Sequence, residues 1–250
     1  MLSAEGVARR KGPSERAAEY EWSMTASDST PPGPVIHGES LTRHTDYGQV
    51  SLSEGDVDPD PFAQLATWVD DAEADGVYEP NAMVIATIDP DGRPSSRTVL
   101  LRGVHSDGLE FFTDYTSRKG RALLTNPLVS IVFPWYPQHR QVLIYGSAHP
   151  TTAEVSDAYF ATRPHGSQIA ATASNQSQPI TDRAELEARV RELEERYPEG
   201  SDVPRPETWG GFRVRPDRLE FWQGRTSRLH DRIRYTLTDD GNWTIDRLQP

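Results

Sequence analysis

The chain has 250 residues, a formal net charge of −12, 35% hydrophobic residues and no cysteine. That length holds one sizeable domain or at most two small ones. The acidic balance speaks against nucleic-acid binding, which needs a broad cationic surface to displace counterions. The missing cysteine removes disulfides, thiolate catalysis and Cys-ligated metal centres, and fits a reducing, cytoplasmic setting. No apolar run is long enough to span a membrane. The histidines are scattered, so no metal site is expected. G-x-G-x-x-G, the P-loop pattern, H-E-x-x-H and G-x-S-x-G are all absent, so any redox chemistry must come from a cofactor bound in another way.

Residues 1 to about 40 are rich in Ser, Thr, Pro, Gly and charge and read as a disordered tail, with Met24 an alternative start of translation. The folded domain is expected over 41–250. Within its polar first stretch, LTRHTDYGQVSL, Tyr47 and Leu52 can anchor the segment to a folded body. The first helix is expected from Asp60-Pro61 to about Val77, where Phe62, Leu65, Trp68, Val69 and Ala72 recur at helical spacing. AMVIATIDPDGRPSSRTVLLRGV reads as a hairpin around Asp-Gly and Pro, and LEFFTD as a strand after the Asp107-Gly108 turn. A short helix, SRKGRALLTN, follows with Thr116 or Ser117 as its cap, then two strands, VSIVFPW and RQVLIYGSAH.

A helical middle comes next. TAEVSDAYFATRP is expected to end at Pro164. ITDRAELEARVRELEERYP has Leu186, Val190, Leu193 and Tyr197 on one face behind an Asp182-x-x-Glu185 capping box. GGFRVRPDRLEFWQG reads as two strands, and DRIRYTLTDDGNWTIDRLQP as a hairpin around Asp240-Gly241. The connections are too short for a parallel sheet, which needs long crossovers. The order predicts an α+β fold built on an antiparallel barrel.

Four polar clusters are candidates for chemistry. In RTVLLR, strand alternation would put Arg97, Val99 and Leu101 on one face and Thr98, Leu100 and Arg102 on the other. Two arginines on so apolar a strand need partners, although the surface end of an edge strand fits the spacing equally. In TSRKGRA, Arg118 and Lys119 fall in the first turn of a helix, where cations oppose the macrodipole unless an anion joins them. A phosphate is one such anion; a solvated basic turn is the alternative. Tyr159, Arg163 and Ser167 are spaced by four, but Pro164 makes a helix end with its loop the expected conformation. Phenol, guanidinium and hydroxyl can surround a second phosphate, and Gln176-Ser177 adds neutral hydrogen-bonding groups. In WQGRTSRLHDR, alternation would align Arg228, His230 and Arg232 on one strand face. Like charges so placed repel unless something anionic lies between them; a surface strand paired through Asp231 is the alternative.

Together and in this order, RTVLLR, FFTDYTSRKG, FPW…RQV, SNQS, WGGFRV, EFWQG, RLHDR and DRLQP resemble the pyridoxine/pyridoxamine 5′-phosphate oxidase family, from about Tyr47 to Pro250. The resemblance implies a split β-barrel homodimer with two FMN sites at its interface. It implies FMN contacts from Arg97, Thr98, Val99, Leu100, Leu101 and Arg102, from Phe112, Thr113, Arg118, Lys119 and Gln141, and from Trp222 and Arg232. Gln176 and Ser177 would be the partner subunit's contribution. The substrate phosphate would meet Arg102, Tyr159, Arg163 and Ser167. Arg228 and His230, the implied catalytic pair, would hold the pyridine ring against the flavin. Tyr47, with Arg43 or His44, would belong to an N-terminal cover.

The implied reaction converts pyridoxine or pyridoxamine 5′-phosphate to pyridoxal 5′-phosphate, with O2 reoxidising the flavin and giving H2O2. Three positions depart from the family's usual pattern: Arg102 stands where a lysine is usual, His44 lies near a usual arginine, and Arg225 is an added cation. Two further readings are an FMN oxidase of this fold acting on another aromatic substrate, as in phenazine assembly, and a carrier of flavin or pyridoxal phosphate without turnover. The Tyr159, Arg163 and Ser167 set favours a phosphorylated substrate over the first. The presence of both Arg228 and His230 favours turnover over the second.

Overall fold

An antiparallel sheet forms the framework in the computed structural model, which describes residues 45–250. Its strands are β1 (Ala82–Ile88), β2 (Pro94–Leu100), β3 (Gly103–His105), β4 (Gly108–Asp114), β5 (Leu128–Trp135), β6 (Arg140–Pro150), β7 (Trp209–Gln223), β8 (Asp231–Leu237) and β9 (Trp243–Arg247). The order is β2-β1-β5-β6-β7-β4-β3, with β8 also on β7 and β9 on β8. Five helices accompany it among the described residues: α1 (Pro61–Ala74), α2 (Arg118–Thr125), α3 (Ala153–Thr162), α4 (His165–Ala173) and α5 (Arg183–Arg196). The expectations placed on the tail, Met24, Arg43 and His44 lie outside the described residues.

The sheet curls into a half-barrel, and β7 is its spine. The first half of β7 pairs with β4 and the second half with β8, while β6 runs along its other edge. GGFRVRPDRLEFWQG reads as two strands in the sequence, but β7 is continuous through Pro216. The β6–β7 register shifts between Tyr145 and Gly146, with Pro216 opposite Gly146. A proline, which lacks the N–H a ladder needs, is tolerated at a bulge, and the bulge bends the pair. Gly146 is required there, because a Cβ would lie 2.2 Å from the Arg215 carbonyl oxygen.

The concave side is filled by alternate residues of each strand, as a period of two dictates: Ile85, Phe111, Ile131, Phe133, Ile144, Phe212, Leu219, Phe221, Ile233 and Tyr235 are all fully buried. Helix α1 closes this core. Asp60 accepts the Phe62 N–H at 2.9 Å and Pro61 occupies the first turn, where its missing N–H costs nothing. The helix buries Leu65 and sets Trp68 edge-on to Phe221, with ring centroids 5.1 Å apart. It stops at Ala74, before the expected Val77, because Gly76 takes a φ of 73° and the Val77 N–H returns to the Ala72 carbonyl at 2.9 Å.

Two further expectations are corrected. The loop foreseen after Pro164 is a helix: Pro164 is the N-cap of α4 and puts Ser167 in its first turn, a position where proline is harmless. Arg228, His230 and Arg232 do not share a strand face. Thr226–Arg228 form a 3-10 turn in which Ser227 and Arg228 have φ of 55° and 61°, and β8 begins only at Asp231.

Candidate functional site

The first group of candidate side chains surrounds a cavity of about 270 Å³ between β2, β4, α2 and the start of β7. Thr98, Val99, Leu100, Phe112, Thr113, Gln176 and Trp209 line it, together with Arg102, Lys119, Tyr159 and Arg163. Three of these side chains are cationic and none is a carboxylate. Lys119 donates from Nζ to Gln176 Oε1 at 2.7 Å and to Thr113 Oγ1 at 3.1 Å, so Gln176, expected from a partner subunit, meets this cavity from the same chain. Its ammonium is pushed down to about 8, first by burial and then by the nearby Arg97 charge.

Phe112, Tyr159 and Trp209 form a stacked wall, with Phe112 and Tyr159 centroids 3.9 Å apart and planes at 14°. Arg163 lies over the Trp209 ring at 4.6 Å, a cation–π contact, and its Nη1 is buried without an acceptor. Arg102 has no side-chain hydrogen bond or ion pair among the described residues. Trp209, which braces Arg163, was missed from the sequence, although the WGG run carried the signal.

Arg97 and Arg118 stand in a neighbouring network. Arg118 Nε donates to Asp89 Oδ2 at 2.6 Å, so the anion that offsets this cation at the start of α2 is a carboxylate of the same chain. Asp89 also accepts from Ser95 Oγ at 2.7 Å, and that bond, with the Arg118 and Arg97 charges, outweighs burial and holds its carboxyl low. Arg97 reaches Ser95 Oγ at 2.6 Å and Thr87 Oγ1 at 2.8 Å. Leu101 is buried in the core, Ser167 and Ser177 do not line the cavity, and Ser177 is exposed with a φ of 70°.

The second group gathers at the far end of β7. Gln141 pairs with Trp222 across β6–β7, and Trp222 with Arg232 across β7–β8. His230 packs on Trp222 with centroids 4.6 Å apart, and Tyr47 meets His230 edge-on at 5.6 Å. The Arg225 backbone N–H donates to His230 Nδ1 at 3.1 Å. Burial, then the Arg228 charge, lowers the His230 pKa below its ordinary value, so the neutral ring is favoured. With Nδ1 accepting, a neutral ring carries its proton on Nε2. Arg232 is held by Glu220 at 2.7 and 3.0 Å, while Arg228 is exposed and has no side-chain partner among the described residues. Among the described residues, no hydrogen bond, ion pair or aromatic contact joins this group to the cavity of the first.

Comparison with known proteins identifies the family. The family described as "Pyridoxamine 5'-phosphate oxidase" matches residues 69–197, and the "Pyridoxine 5'-phosphate oxidase C-terminal dimerisation region" matches residues 209–250, which hold Trp222, Arg228, His230 and Arg232. A curated "Pyridoxine/pyridoxamine 5'-phosphate oxidase" of Rubrobacter xylanophilus is 54% identical over 205 residues, spanning 82% of this chain and 94% of the relative. Among solved structures, PhzG from Burkholderia lata, in complex with tetrahydrophenazine-1-carboxylic acid, superposes with a TM-score of 0.76 at 34% identity, covering 82% of this chain and 100% of its own. A Nostoc punctiforme protein described as pyridoxamine 5'-phosphate oxidase-related and FMN binding has a TM-score of 0.63 at 18% identity, covering 80% and 100%, and shares the split-barrel fold. With 54% identity to the Rubrobacter protein over 205 aligned residues, and both family regions in sequence order, the chain belongs to the pyridoxine/pyridoxamine 5′-phosphate oxidase family.

Proposed function

We propose that the protein oxidises pyridoxine or pyridoxamine 5′-phosphate to pyridoxal 5′-phosphate, with FMN as cofactor and O2 as terminal acceptor giving H2O2, in a reducing cytoplasm. The observation that carries this reading is the cavity lined by Arg102, Lys119 and Arg163 with no carboxylate. Uncompensated cations in a half-buried pocket are costly unless an anion joins them, and a phosphate supplies both charge and several acceptors. The buried, unpaired Nη1 of Arg163 supports the same conclusion.

The residues fit FMN and a phosphorylated pyridine. Lys119, supported by Thr113 and Gln176, would hold the flavin phosphate, with Arg97 and Arg118 adding field from behind. Arg102, Tyr159 and Arg163 would take the substrate phosphate. FMN, when bound, supplies the two-electron acceptor. The protein's part is orientation and charge: His230 offers an Nε2–H donor to the substrate, and Arg228 steadies the ring and its developing charge. The two groups meet only if the second comes from another copy, so the working unit is a two-fold homodimer with composite sites.

The binding of FMN is expected to weaken as pH rises. Lys119 in the ligand-free protein titrates at about 8; a bound phosphate raises that value, so binding above it takes up a proton. The dissociation constant, followed by flavin fluorescence from neutral to alkaline pH, should rise by up to about tenfold per pH unit above that point. A flat profile would show that Lys119 does not meet the phosphate.

The likeness to PhzG supports a second reading, oxidation of a different aromatic acid whose carboxylate meets the same arginines. Steady-state assays separate the two. Pyridoxine 5′-phosphate should give pyridoxal 5′-phosphate and H2O2, and pyridoxine lacking the phosphate should lose at least about 10²-fold in kcat/KM. Equal rates with both would remove the phosphate's role, and flavin binding without any product would favour the carrier.

A further inference from the structure

Asp231 stands beside His230 and is 7% exposed. Its carboxylate accepts from three parts of the chain: Oδ2 from the Leu52 N–H at 3.0 Å and from Arg225 Nη1 at 3.2 Å, and Oδ1 from Arg247 Nη1 at 2.6 Å. Burial alone would push this carboxyl up, but the Leu52 and Arg247 bonds and the charges of Arg225 and Arg247 outweigh it and keep it ionised. Arg247 is anchored twice more, to Glu54 at 3.0 Å and to the Leu52 carbonyl at 2.9 Å. The Arg225 guanidinium has no other partner among the described residues.

The backbone of Arg225 does a different job, donating to His230 Nδ1. On either side of it, the Gly224 N–H reaches the His139 carbonyl at 2.7 Å and the Thr226 N–H reaches the Gly48 carbonyl at 3.0 Å. The next two residues, Ser227 and Arg228, have φ of 55° and 61°. Side-chain-bearing residues persist in that region only where their surroundings hold them. The loop that carries Arg228 and His230 is therefore held in a conformation it would not keep unaided.

We propose that Asp231 is a positioning residue for the oxidation inferred above, acting through Arg225: by gripping the Arg225 side chain it keeps the Arg225 N–H on His230 Nδ1, which leaves the ring proton on Nε2, facing the substrate. This inference rests on the oxidase reading for its catalytic consequence, but not for its structural one. It also gives a part to Arg225, which the sequence marked only as an added cation. Arg225 exerts its effect from behind the histidine, without touching the substrate.

The test is made on FMN-loaded Asp231→Asn and Arg225→Ala proteins. Ring-nitrogen NMR of histidine-labelled protein, with the His230 signal assigned by its loss in His230→Gln, should show the Nε2–H tautomer in the unaltered protein and a mixture of tautomers in both variants. Flavin content should be retained, while kcat with pyridoxine 5′-phosphate falls by about 10²-fold, the scale of a misplaced catalytic group, and KM moves less. A purely structural carboxylate would lower thermal stability without moving the tautomer. If either variant keeps the Nε2–H tautomer, or shows the mixture but retains kcat, the proposal fails. Should Asp231→Asn not fold, Arg225→Ala carries the same decision alone. The ring spectra need no turnover, so an unaltered protein that fails to oxidise the substrate would overturn the oxidase reading and leave the tautomer result standing.

Discussion

Arg163→Ala and Arg228→Ala, each assayed alone, should lose most turnover, and a mixture of the two, dissociated and reassociated, should regain about a quarter of the unaltered activity. The two side chains belong to different groups: Arg163 stacks on Trp209 at the cation-lined cavity, and Arg228 lies in the turn between β7 and β8. If one site is built from both subunits, a mixed dimer has one site missing both arginines and one site missing neither. Random pairing makes about half of the dimers mixed, each with one of its two sites intact, which gives the quarter. A site built within one chain would leave every site defective, and mixing would restore nothing. Flavin should stay bound to Arg228→Ala, since that residue lies outside the cavity where Lys119 is buried.

Phe221→Ala should cost about 3–5 kcal/mol of stability, the range for emptying an aromatic site in a packed core. Phe221 is fully buried in the second half of β7 and meets Trp68 edge-on at 5.1 Å and Tyr235 at 5.5 Å. It thus joins helix α1, the spine strand and β8, and the β7–β8 connection is the turn that carries Arg228 and His230. Thermal unfolding should move down by about 10 °C or more. The loss should reach the second group more than the first, because β7 pairs with β4 and not with β8 at the cavity end. A melting temperature within a degree or two of the unaltered protein would mean that α1 is not held to the sheet through this contact.

Much of the molecule was legible in the sequence because its signals are local. Alternation in AMVIATI and VSIVFPW and the tight Asp-Gly turns define antiparallel neighbours, and the cap at Asp60 and the apolar spacing behind it define α1. What was misread depended on partners far along the chain. Pro164 and Pro216 look like breaks, yet one falls at a helix start and the other at a bulge, the two places where a missing N–H is harmless. RLHDR alternates like a strand, but bonds from Gly224 to His139 and from Thr226 to Gly48 fix the residues before it in a turn that ends at Arg228. Arg118 looked like a free cation at a helix start, and its partner Asp89 lies 29 residues away in a segment that reads only as a turn. The grouping of the candidate residues has no sequence signature, because each group gathers side chains from elements far apart along the chain.

With FMN bound, this chain is expected to take two electrons from a phosphorylated pyridine alcohol or amine. The most direct measurement is an anaerobic mix of FMN-loaded protein with pyridoxine 5′-phosphate, followed through the flavin absorbance. The yellow band should bleach, and should return with formation of pyridoxal 5′-phosphate and H2O2 when air is admitted. A band that stays yellow while FMN remains bound and the substrate is in excess would contradict it.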